Sequence, residues 1–231
     1  LLLLLLLFFE NENFFVINKP AGIASQATLT SSTDTIFHML VALNSQKFRL
    51  SDMFMVHRLD KETSGIMLIA RNKDAQKKFE DMFRDKKILK TYDALCFYSP
   101  QKNAGMITFP IAKDKSRQNC YYAQINSKTK DAKEAHTEYK VLHNYKSEAS
   151  YIQCYPKTGR THQIRVHLAA IGCPILGDKT YSQNIYGHRF TQIALRHMLH
   201  ASKIQFEFEG KNYNFSAPFP EDFTQVLKNL V

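Results

Sequence analysis

The sequence is poor in several residues that particular kinds of site require. Its 231 residues contain no tryptophan, eight glycines and four cysteines. The glycines form neither G-x-x-x-x-G-K-[ST] nor G-x-G-x-x-G, so we expect no nucleotide cofactor. No C-x-x-C pair is present, which excludes a zinc knuckle of the usual spacing. Four cysteines in a chain of this length predict reduced, mostly buried thiols and a cytoplasmic protein.

The sequence also lacks an apolar run that could span a membrane. Leu1 to Phe9 is continuously apolar, but a bilayer span takes about 20 residues. No basic flank precedes this run and no small-residue cleavage site follows it, which argues against a signal peptide. We interpret residues 1–9 either as an edge strand or as a stretch whose side-chain identities are poorly known, and assign no function to them.

Acidic residues are the minority among the charged side chains. Asp and Glu number 21 against 31 Lys and Arg, which gives a formal net charge of +10. Such an excess favours a polyanionic partner, with nucleic acid first and an anionic membrane second. Hydrophobic residues make up 44% and charged residues 23%, which is typical of a soluble globular protein.

Hydrophobic periodicity predicts more strands than helices. Ile66–Ala70 is a continuous apolar run, typical of a strand buried on both faces. Alternating residues predict further strands, and three amphipathic segments predict helices. The other predicted strands are Phe14–Ile17, Thr137–Val141 and a hairpin over Ile204–Phe215 that turns at Gly210-Lys211. The predicted helices are Asp74–Phe83, with Asp74 as N-cap, a segment around Ile164–Ile171, and Glu221–Leu230. This pattern indicates an α+β fold with a mixed, largely antiparallel sheet.

One polar segment, H-R-L-D-K-E-T-S-G at His57–Gly65, directly precedes the buried strand. Asp60 lies between the cations Arg58 and Lys61, which favour its ionised form. An ionised, positioned carboxylate can act as a nucleophile or a general base. The alternative is a loop aspartate that caps a turn or makes a surface ion pair.

A second segment, Tyr155–Tyr181, is basic and has no acidic residue before Asp178. It could neutralise phosphates, or it could be an ordinary solvated face. Its cationic side chains are Lys157, Arg160, Arg165 and Lys179, together with His162 and His167.

We expect no metal site. His162 and His167 are five residues apart, which on a helix separates their directions by about 140°. The sequence has no H-E-x-x-H, and the H-x-E at His136–Glu138 lacks the downstream P-C-x-x-C of zinc deaminases.

Six motifs occur in order along the chain. They are V-I-N-K-P-A-G (Val16–Gly22), H-R-L-D-K-E-T-S-G (His57–Gly65), K-T-Y (Lys90–Tyr92), T-G-R-T-H-Q-I-R-V-H (Thr158–His167), G-C-P-I-L-G-D (Gly172–Asp178) and L-H-A (Leu199–Ala201). Together they make the sequence resemble the RluA-type pseudouridine synthases. The resemblance implies one catalytic domain over residues 10–231, with a central RNA-binding cleft flanked by helices and loops. It implies isomerisation of uridine in ribosomal or transfer RNA without a cofactor. Too few residues precede Glu10 for the S4-like domain of many relatives, so target selection would rest on the catalytic domain or on a missing segment.

The resemblance also implies roles for individual residues. Asp60 matches the catalytic aspartate of the family, and Arg165 matches the arginine that pairs with it. Tyr92 matches the tyrosine that stacks under the target base and assists proton transfer. Arg58 matches the arginine that holds the RNA open around the flipped uridine, and Leu199 a leucine of the active-site wall. Within the matching motifs we also expect Lys19, Arg160 and His162 to bind RNA.

Two alternatives from other functional classes stay open at this stage. One is a non-catalytic RNA-binding module on the same fold, against which the intact set of Asp60, Tyr92 and Arg165 argues. The other is a metal-dependent hydrolase of nucleic acid, which the histidine spacing does not support. We expect a monomer that binds structured RNA and no membrane.

Overall fold

A computed structural model describes residues 6–27, 35–126 and 130–231 of the protein. Its residues fall into two compact units. The first unit contains the chain up to Leu89 and Ala201–Pro218, and the second contains Lys90–His200 and Phe219–Val231. The chain therefore passes between the units three times, at positions where the sequence shows no linker.

The elements of both units are predominantly strands. In chain order the strands are β1 (Leu7–Glu10), β2 (Phe14–Lys19), β3 (Phe54–Met55), β4 (Ser64–Ala70), β5 (Leu89–Phe97), β6 (Ala104–Ile107), β7 (Ile111–Lys113), β8 (Tyr121–Ala123), β9 (Thr137–Tyr145), β10 (Ala149–Pro156), β11 (Leu199–Phe208) and β12 (Lys211–Ser216). The helices are α1 (Ile36–Leu43), α2 (Lys73–Arg84), α3 (Gln163–Ala170) and α4 (Glu221–Lys228), with a 3-10 turn at Leu50–Asp52.

Antiparallel pairing dominates each unit. In the first unit the pairs β1–β2, β2–β4, β3–β4 and β11–β12 are antiparallel. In the second unit the same holds for β5–β10, β10–β9, β9–β6 and β7–β8. One isolated bridge, between Ala24 and Thr35, is parallel. The α+β class with a mixed, largely antiparallel sheet is confirmed.

The core of the first unit surrounds β4, all seven residues of which are buried, as the apolar run predicts. Phe14 of β2 and Phe79 of α2 are fully buried there, with ring centroids 5.4 Å apart. Phe79 also stacks on Phe208 of β11 at 4.6 Å. Because aromatic pairs in these geometries add stability beyond the area that they bury, this cluster holds α2 firmly against the sheet.

The predicted hairpin is present as β11–β12, in which Ile204 faces Phe215 and Phe206 faces Tyr213. Its turn lies one residue earlier than predicted. Glu209 and Gly210 are the two loop residues, with φ of 51° and 76°. Two positive φ values define a type I′ turn, whose twist matches that of the flanking strands.

In the second unit the alternation of β9 is confirmed, with Thr137 and Tyr139 buried and Glu138 and Lys140 exposed. Helix α3 forms where the apolar spacing predicts it, and its residues from Gln163 to Leu168 are all buried.

The C-terminal helix is two residues shorter than predicted. It ends at Lys228, and Leu230 is buried just beyond its end. The guanidinium of Arg196 pairs with both carboxylate oxygens of Asp222, at 2.6 and 3.0 Å, and so holds the first turn of α4 in place.

The N-cap predicted for α2 is wrong. Asn72 is the cap, and its side-chain oxygen accepts a hydrogen bond from the Ala75 N–H at 2.8 Å. Asp74 lies in the first turn instead, where a negative charge interacts favourably with the helix dipole. The helix therefore begins one residue before the first residue predicted.

The apolar N-terminus is partly described. Residues 1–5 lie outside the described ranges, and Leu7–Glu10 forms an edge strand against β2. Among the described residues, every helix is too short or too polar to cross a membrane. The four cysteines are buried, unpaired thiols, as predicted.

Candidate active site

The loop that carries Asp60 connects β3 to β4, and one earlier segment of the chain, which contains Lys19, Gly22 and Ser25, fixes its backbone. The Lys61 carbonyl accepts hydrogen bonds from Lys19 Nζ at 3.1 Å and from the Gly22 N–H at 2.9 Å. On the other side of Asp60, Ser25 Oγ donates to the Leu59 carbonyl at 2.7 Å and accepts from the Leu59 N–H at 3.1 Å. The residues on both sides of Asp60 are therefore held by a segment about 40 positions earlier in the chain.

Asp60 lies half-buried at the tip of this loop. Its carbonyl accepts a hydrogen bond from the Thr63 N–H at 3.0 Å, which closes a tight turn directly before β4. Arg58 and Lys61, the two cations beside it in the sequence, are both exposed. The turn thus presents a carboxylate between two cationic side chains that can reach a polyanion.

Lys19 was predicted to bind RNA directly, and the structure contradicts this prediction. Its side chain is fully buried, and its ammonium donates to the carbonyls of Pro20 at 2.9 Å, Ile23 at 2.8 Å and Lys61 at 3.1 Å. A buried ammonium has to be satisfied by acceptors, and three backbone oxygens meet that need here. Lys19 therefore supports the Asp60 loop and offers no surface to a ligand.

His57 and Gly65 fix the two ends of the same loop. His57 Nε2 accepts the Leu68 N–H at 2.8 Å, which extends the contact between β3 and β4. Gly65 has φ of 119°, and a Cβ at this position would lie 2.2 Å from the Ala201 carbonyl oxygen. Only glycine is compatible with so close an approach of two backbones.

In the second unit, Tyr92 and Lys90 lie on the same face of β5, because side chains two apart in a strand point the same way. Tyr92 is 9% exposed and lies opposite Cys154 of β10. Burial lowers the pKa of Lys90 from its ordinary value to about 8. The K-T-Y motif thus places a tyrosine and a lysine of lowered pKa side by side.

The loop before α3 is stabilised by Gln163. Its side-chain oxygen accepts from Thr158 Oγ1 at 2.7 Å and from the Arg160 N–H at 3.0 Å. Its Nε2 donates to the His136 carbonyl and to Thr137 Oγ1, both at 3.0 Å. The T-G-R-T-H-Q sequence therefore folds into a rigid turn that leaves Arg160 exposed.

His162 and His167 have separate surroundings, as their spacing predicts. His162 has φ of 56°, and its Nδ1 lies 2.8 Å from the Tyr181 hydroxyl. His167 is fully buried, with Nδ1 2.8 Å from Thr137 Oγ1 and Nε2 2.8 Å from the Phe109 carbonyl. Burial lowers the pKa of His167 below its ordinary value. Within the described ranges, no group of three or more His, Cys, Asp or Glu side chains could hold a metal ion.

Arg165, on α3, makes a buried ion pair that sequence reasoning missed. Its Nε and one η nitrogen donate to the two oxygens of Asp178 at 2.7 and 3.0 Å. The side chains are 8% and 0% exposed. Burial acts to raise the pKa of Asp178, but hydrogen bonds and the charge of Arg165 outweigh burial and keep the pKa below its ordinary value. The sequence contained one signal, since a buried arginine requires a carboxylate and Asp178 is the single acidic residue of the segment Tyr155–Tyr181.

The remaining predicted positions are Leu199 and the partners of Asp60. Leu199 is 4% exposed at the start of β11, and its carbonyl accepts from Arg196 at 3.4 Å. Its place in an active-site wall stays a prediction. Asp60 belongs to the first unit, whereas Tyr92 and Arg165 belong to the second, and the meeting of these three side chains also stays a prediction.

Comparison with known proteins supports the family resemblance that the motifs indicate. Residues 13–170 match the family model described as RNA pseudouridylate synthase. A ribosomal large subunit pseudouridine synthase C of Rickettsia typhi is 35% identical over 226 residues, which cover 96% of this chain and 70% of that protein. A ribosomal large subunit pseudouridine synthase D of Borreliella burgdorferi is 35% identical over 233 residues, covering 96% of this chain and 67% of that protein.

A solved structure shows the same fold. Human RNA pseudouridylate synthase domain containing 4 superposes with a TM-score of 0.77 at 26% identity, covering 97% of this chain and 92% of that one. The fold, the motifs and these matches define an RNA-modifying isomerase. The chain belongs to the RNA pseudouridylate synthase family. It is an RNA pseudouridine synthase, an enzyme that isomerises uridine within an RNA chain to pseudouridine.

Proposed function

We propose that this protein modifies specific uridines of structured RNA, with ribosomal RNA of the large subunit as the first candidate and transfer RNA as the second. Relatives that share 35% identity over 96% of the chain are named for the large ribosomal subunit. The observation that carries the catalytic assignment is the anchoring of the Asp60 loop. Hydrogen bonds from Lys19, Gly22 and Ser25 hold the backbone on both sides of one half-buried carboxylate.

The reaction rearranges one nucleotide without a redox change. The N1–C1′ bond breaks, the uracil rotates, a C5–C1′ bond forms, C5 loses a proton and N1 gains one. Two routes use a carboxylate: covalent attack on the nucleotide, or removal of the proton at C2′. Both require an ionised and well-directed Asp60. Both also require the base to leave its stack, which costs a few kcal/mol and least in loops and bulges.

The roles of the other groups follow from the family motifs. Arg165 would pair with Asp60 and keep it charged, since an opposite charge within about 4–6 Å lowers the pKa of a carboxylate. Tyr92 would stack under the uracil, with its hydroxyl near C5. Arg58 would fill the space that the flipped base leaves, and its exposed side chain supports this role.

Phosphate binding would rest on exposed cations of the same motifs. Arg160 is exposed, and its Nε donates to the Glu134 carbonyl at 2.8 Å, which orients the side chain. His162 is half-buried and would contribute from the same turn. The four buried thiols support a reducing compartment, and we propose that the enzyme acts as a monomer in the cytoplasm.

The test of the catalytic assignment is Asp60→Asn. This change keeps the shape of the side chain but removes the anion that both routes need. We expect release of tritium from RNA that carries 5-tritiated uridine to fall by about 10²–10⁴-fold or more, with RNA affinity retained.

The matched control is Asp74→Asn, which changes a carboxylate that is 90% exposed on α2. It should turn over at the wild-type rate. Near-wild-type turnover by Asp60→Asn would remove Asp60 from the chemistry. Binding without turnover by the wild type, on ribosomal and transfer RNA alike, would favour a non-catalytic RNA-binding module.

A further inference from the structure

Ser25 lies outside the six motifs, yet its hydroxyl makes two hydrogen bonds to one residue of the Asp60 loop. Its Oγ donates to the Leu59 carbonyl at 2.7 Å and accepts from the Leu59 N–H at 3.1 Å. Ser25 is 4% exposed and Leu59 is 3% exposed. One hydroxyl thus pairs with Leu59 as the backbone of a neighbouring strand would, and its loss would leave a buried donor and a buried acceptor unsatisfied.

These bonds act on the peptide group directly before Asp60. The Leu59 carbonyl belongs to the planar peptide that links Leu59 to Asp60, so the direction of this carbonyl determines φ of Asp60. The peptide after Asp60 is held separately, since the Asp60 carbonyl accepts the Thr63 N–H at 3.0 Å. With one peptide plane held on each side, the Cα–Cβ bond of Asp60 has a fixed direction.

Ser25 is itself held by helix α1 and not by the loop. The N–H of Ile36, the first residue of α1, donates to the Ala24 carbonyl at 2.9 Å, and Ala24 also forms the parallel bridge with Thr35. Ile36 and Leu40 of α1 are fully buried. The helix therefore fixes the backbone next to Ser25 independently of the loop that Ser25 supports.

We propose that Ser25 is a positioning residue that sets the direction in which Asp60 presents its carboxylate to the nucleotide. This role rests on the proposed function, in which Asp60 is the catalytic carboxylate. All of these contacts lie within the first unit. A displaced carboxylate slows the chemical step, whereas the exposed cations that would bind RNA are unchanged, so kinetics separate the two effects.

The first test is Ser25→Ala, measured as steady-state release of tritium from RNA that carries 5-tritiated uridine. Small displacements of a group that acts on the reacting centre can cost up to about 100-fold in rate, and we expect kcat to fall by about 10- to 100-fold. KM should change by less than about twofold, because the Ser25 side chain is buried. A wild-type kcat would overturn the proposal.

A pair of variants of equal size isolates the hydroxyl. Ser25→Thr keeps the hydroxyl and Ser25→Val replaces it with a methyl group, so both add the same bulk at this buried position. We expect Ser25→Thr to retain kcat within about threefold of the wild type and Ser25→Val to be at least 10-fold slower than Ser25→Thr. Equal kcat values in the two variants would show that the hydroxyl has no positioning role.

A loss of stability has to be separated from a loss of direction. Asn11 provides the control, because its Oδ1 accepts the Asn13 N–H at 2.8 Å and the Phe14 N–H at 2.9 Å in another turn of the first unit. Asn11→Ala should lower the melting temperature yet leave kcat within about twofold, in assays well below the melting temperature. If Asn11→Ala lowers kcat as much as Ser25→Ala does, the effect is a general result of destabilisation and the proposal fails.

Hydrogen exchange at the Leu59 amide tests the contact without using activity. In the wild type this amide should exchange at least about 100-fold more slowly than in an unstructured peptide, because it donates to a buried hydroxyl. In Ser25→Val the protection should be lost at Leu59 and retained at Leu68 in β4. A Leu59 amide that exchanges freely in the wild type overturns the proposal, whichever variants fold.

Failure of this proposal and failure of the proposed function are distinguishable. If Asp60→Asn is inactive while Ser25→Ala and Ser25→Val turn over normally, only the positioning role is wrong. If Asp60→Asn is active, the catalytic assignment itself is wrong, and exchange at Leu59 still reports whether Ser25 holds the loop.

Discussion

At the scale of single residues, lysines that look alike in the sequence have different environments. Lys19 is fully buried and bonded to three carbonyls, whereas Lys61 is exposed. Lys90 is half-buried in β5, and its pKa falls to about 8 because burial penalises the charged form. A side chain whose pKa differs between folded and unfolded states makes stability depend on pH.

Whether Lys90 makes stability rise or fall with pH follows from the direction of its pKa shift. The folded pKa of about 8 lies below the ordinary 10.5, so between these values the unfolded chain binds more protons than the folded one. The contribution of Lys90 to the free energy of unfolding therefore rises with pH across this interval.

We predict that Lys90→Met stabilises the protein at pH 7 and that this gain shrinks as the pH rises from about 8 towards 10.5. Urea denaturation of both proteins at several pH values from 7 to about 9.5 measures the difference, in which other titrating groups cancel. A difference that is independent of pH would show that the Lys90 pKa is not lowered.

At the scale of elements, the strands that were predicted lie where local pattern places them, whereas β5 and β10 were not predicted and the details of helix ends differ. The apolar run of β4 and the alternation of β9 both lie where periodicity predicts them. Helix α1 has no counterpart among the predicted helices. The N-cap of α2 is Asn72 because its side chain reaches the Ala75 N–H, a contact that Asp74 cannot make from inside the first turn.

The corrected cap leads to a prediction about two neighbouring residues. Asn72→Ala should lower the free energy of unfolding by about 1 kcal/mol, because it leaves a first-turn N–H without its side-chain acceptor. Asp74→Ala should cost about 0.5 kcal/mol or less, since it removes a solvent-exposed charge near the helix N-terminus and an exposed ion pair with Lys78 at 3.9 Å. Urea denaturation of the two variants measures both losses in the free energy of unfolding. A larger loss for Asp74→Ala than for Asn72→Ala would show that Asp74 is the N-cap.

At the scale of the whole molecule, the excess of cationic residues sets how the protein meets RNA. The net charge is +10. Arg58, Lys61 and Arg160 lie within the motifs that carry the proposed site, and all three side chains are exposed. Neutralising phosphates releases counterions, so the logarithm of the binding constant for RNA should fall linearly with the logarithm of salt concentration.

We predict that Arg160→Gln weakens RNA binding regardless of sequence and reduces the salt slope by about one unit, as expected for the loss of one phosphate contact. Arg84→Gln is the control, because Arg84 is exposed on α2 and pairs with Asp81 at 2.7 Å. Titrations at several salt concentrations give both slopes. A flat profile for the wild type would show that phosphate contacts do not dominate binding.

Local patterns in the sequence were sufficient to predict the family, the fold class and the location of Asp60 in a loop before a buried strand. Periodicity of two or of 3.6 residues depends on neighbours in sequence, and the six motifs are short and continuous. Those features can be recognised before any contact between distant segments is known.

The partners of individual side chains depended on contacts between residues far apart in the chain. Lys19 is buried because the Lys61 carbonyl lies within reach, 42 residues later, and no local pattern could distinguish it from an RNA-binding lysine. Arg165 pairs with Asp178 because a turn through Gly177 brings that carboxylate under α3. A hydrogen bond or ion pair forms only where folding places donor and acceptor about 3 Å apart, and that placement follows from packing of the whole chain.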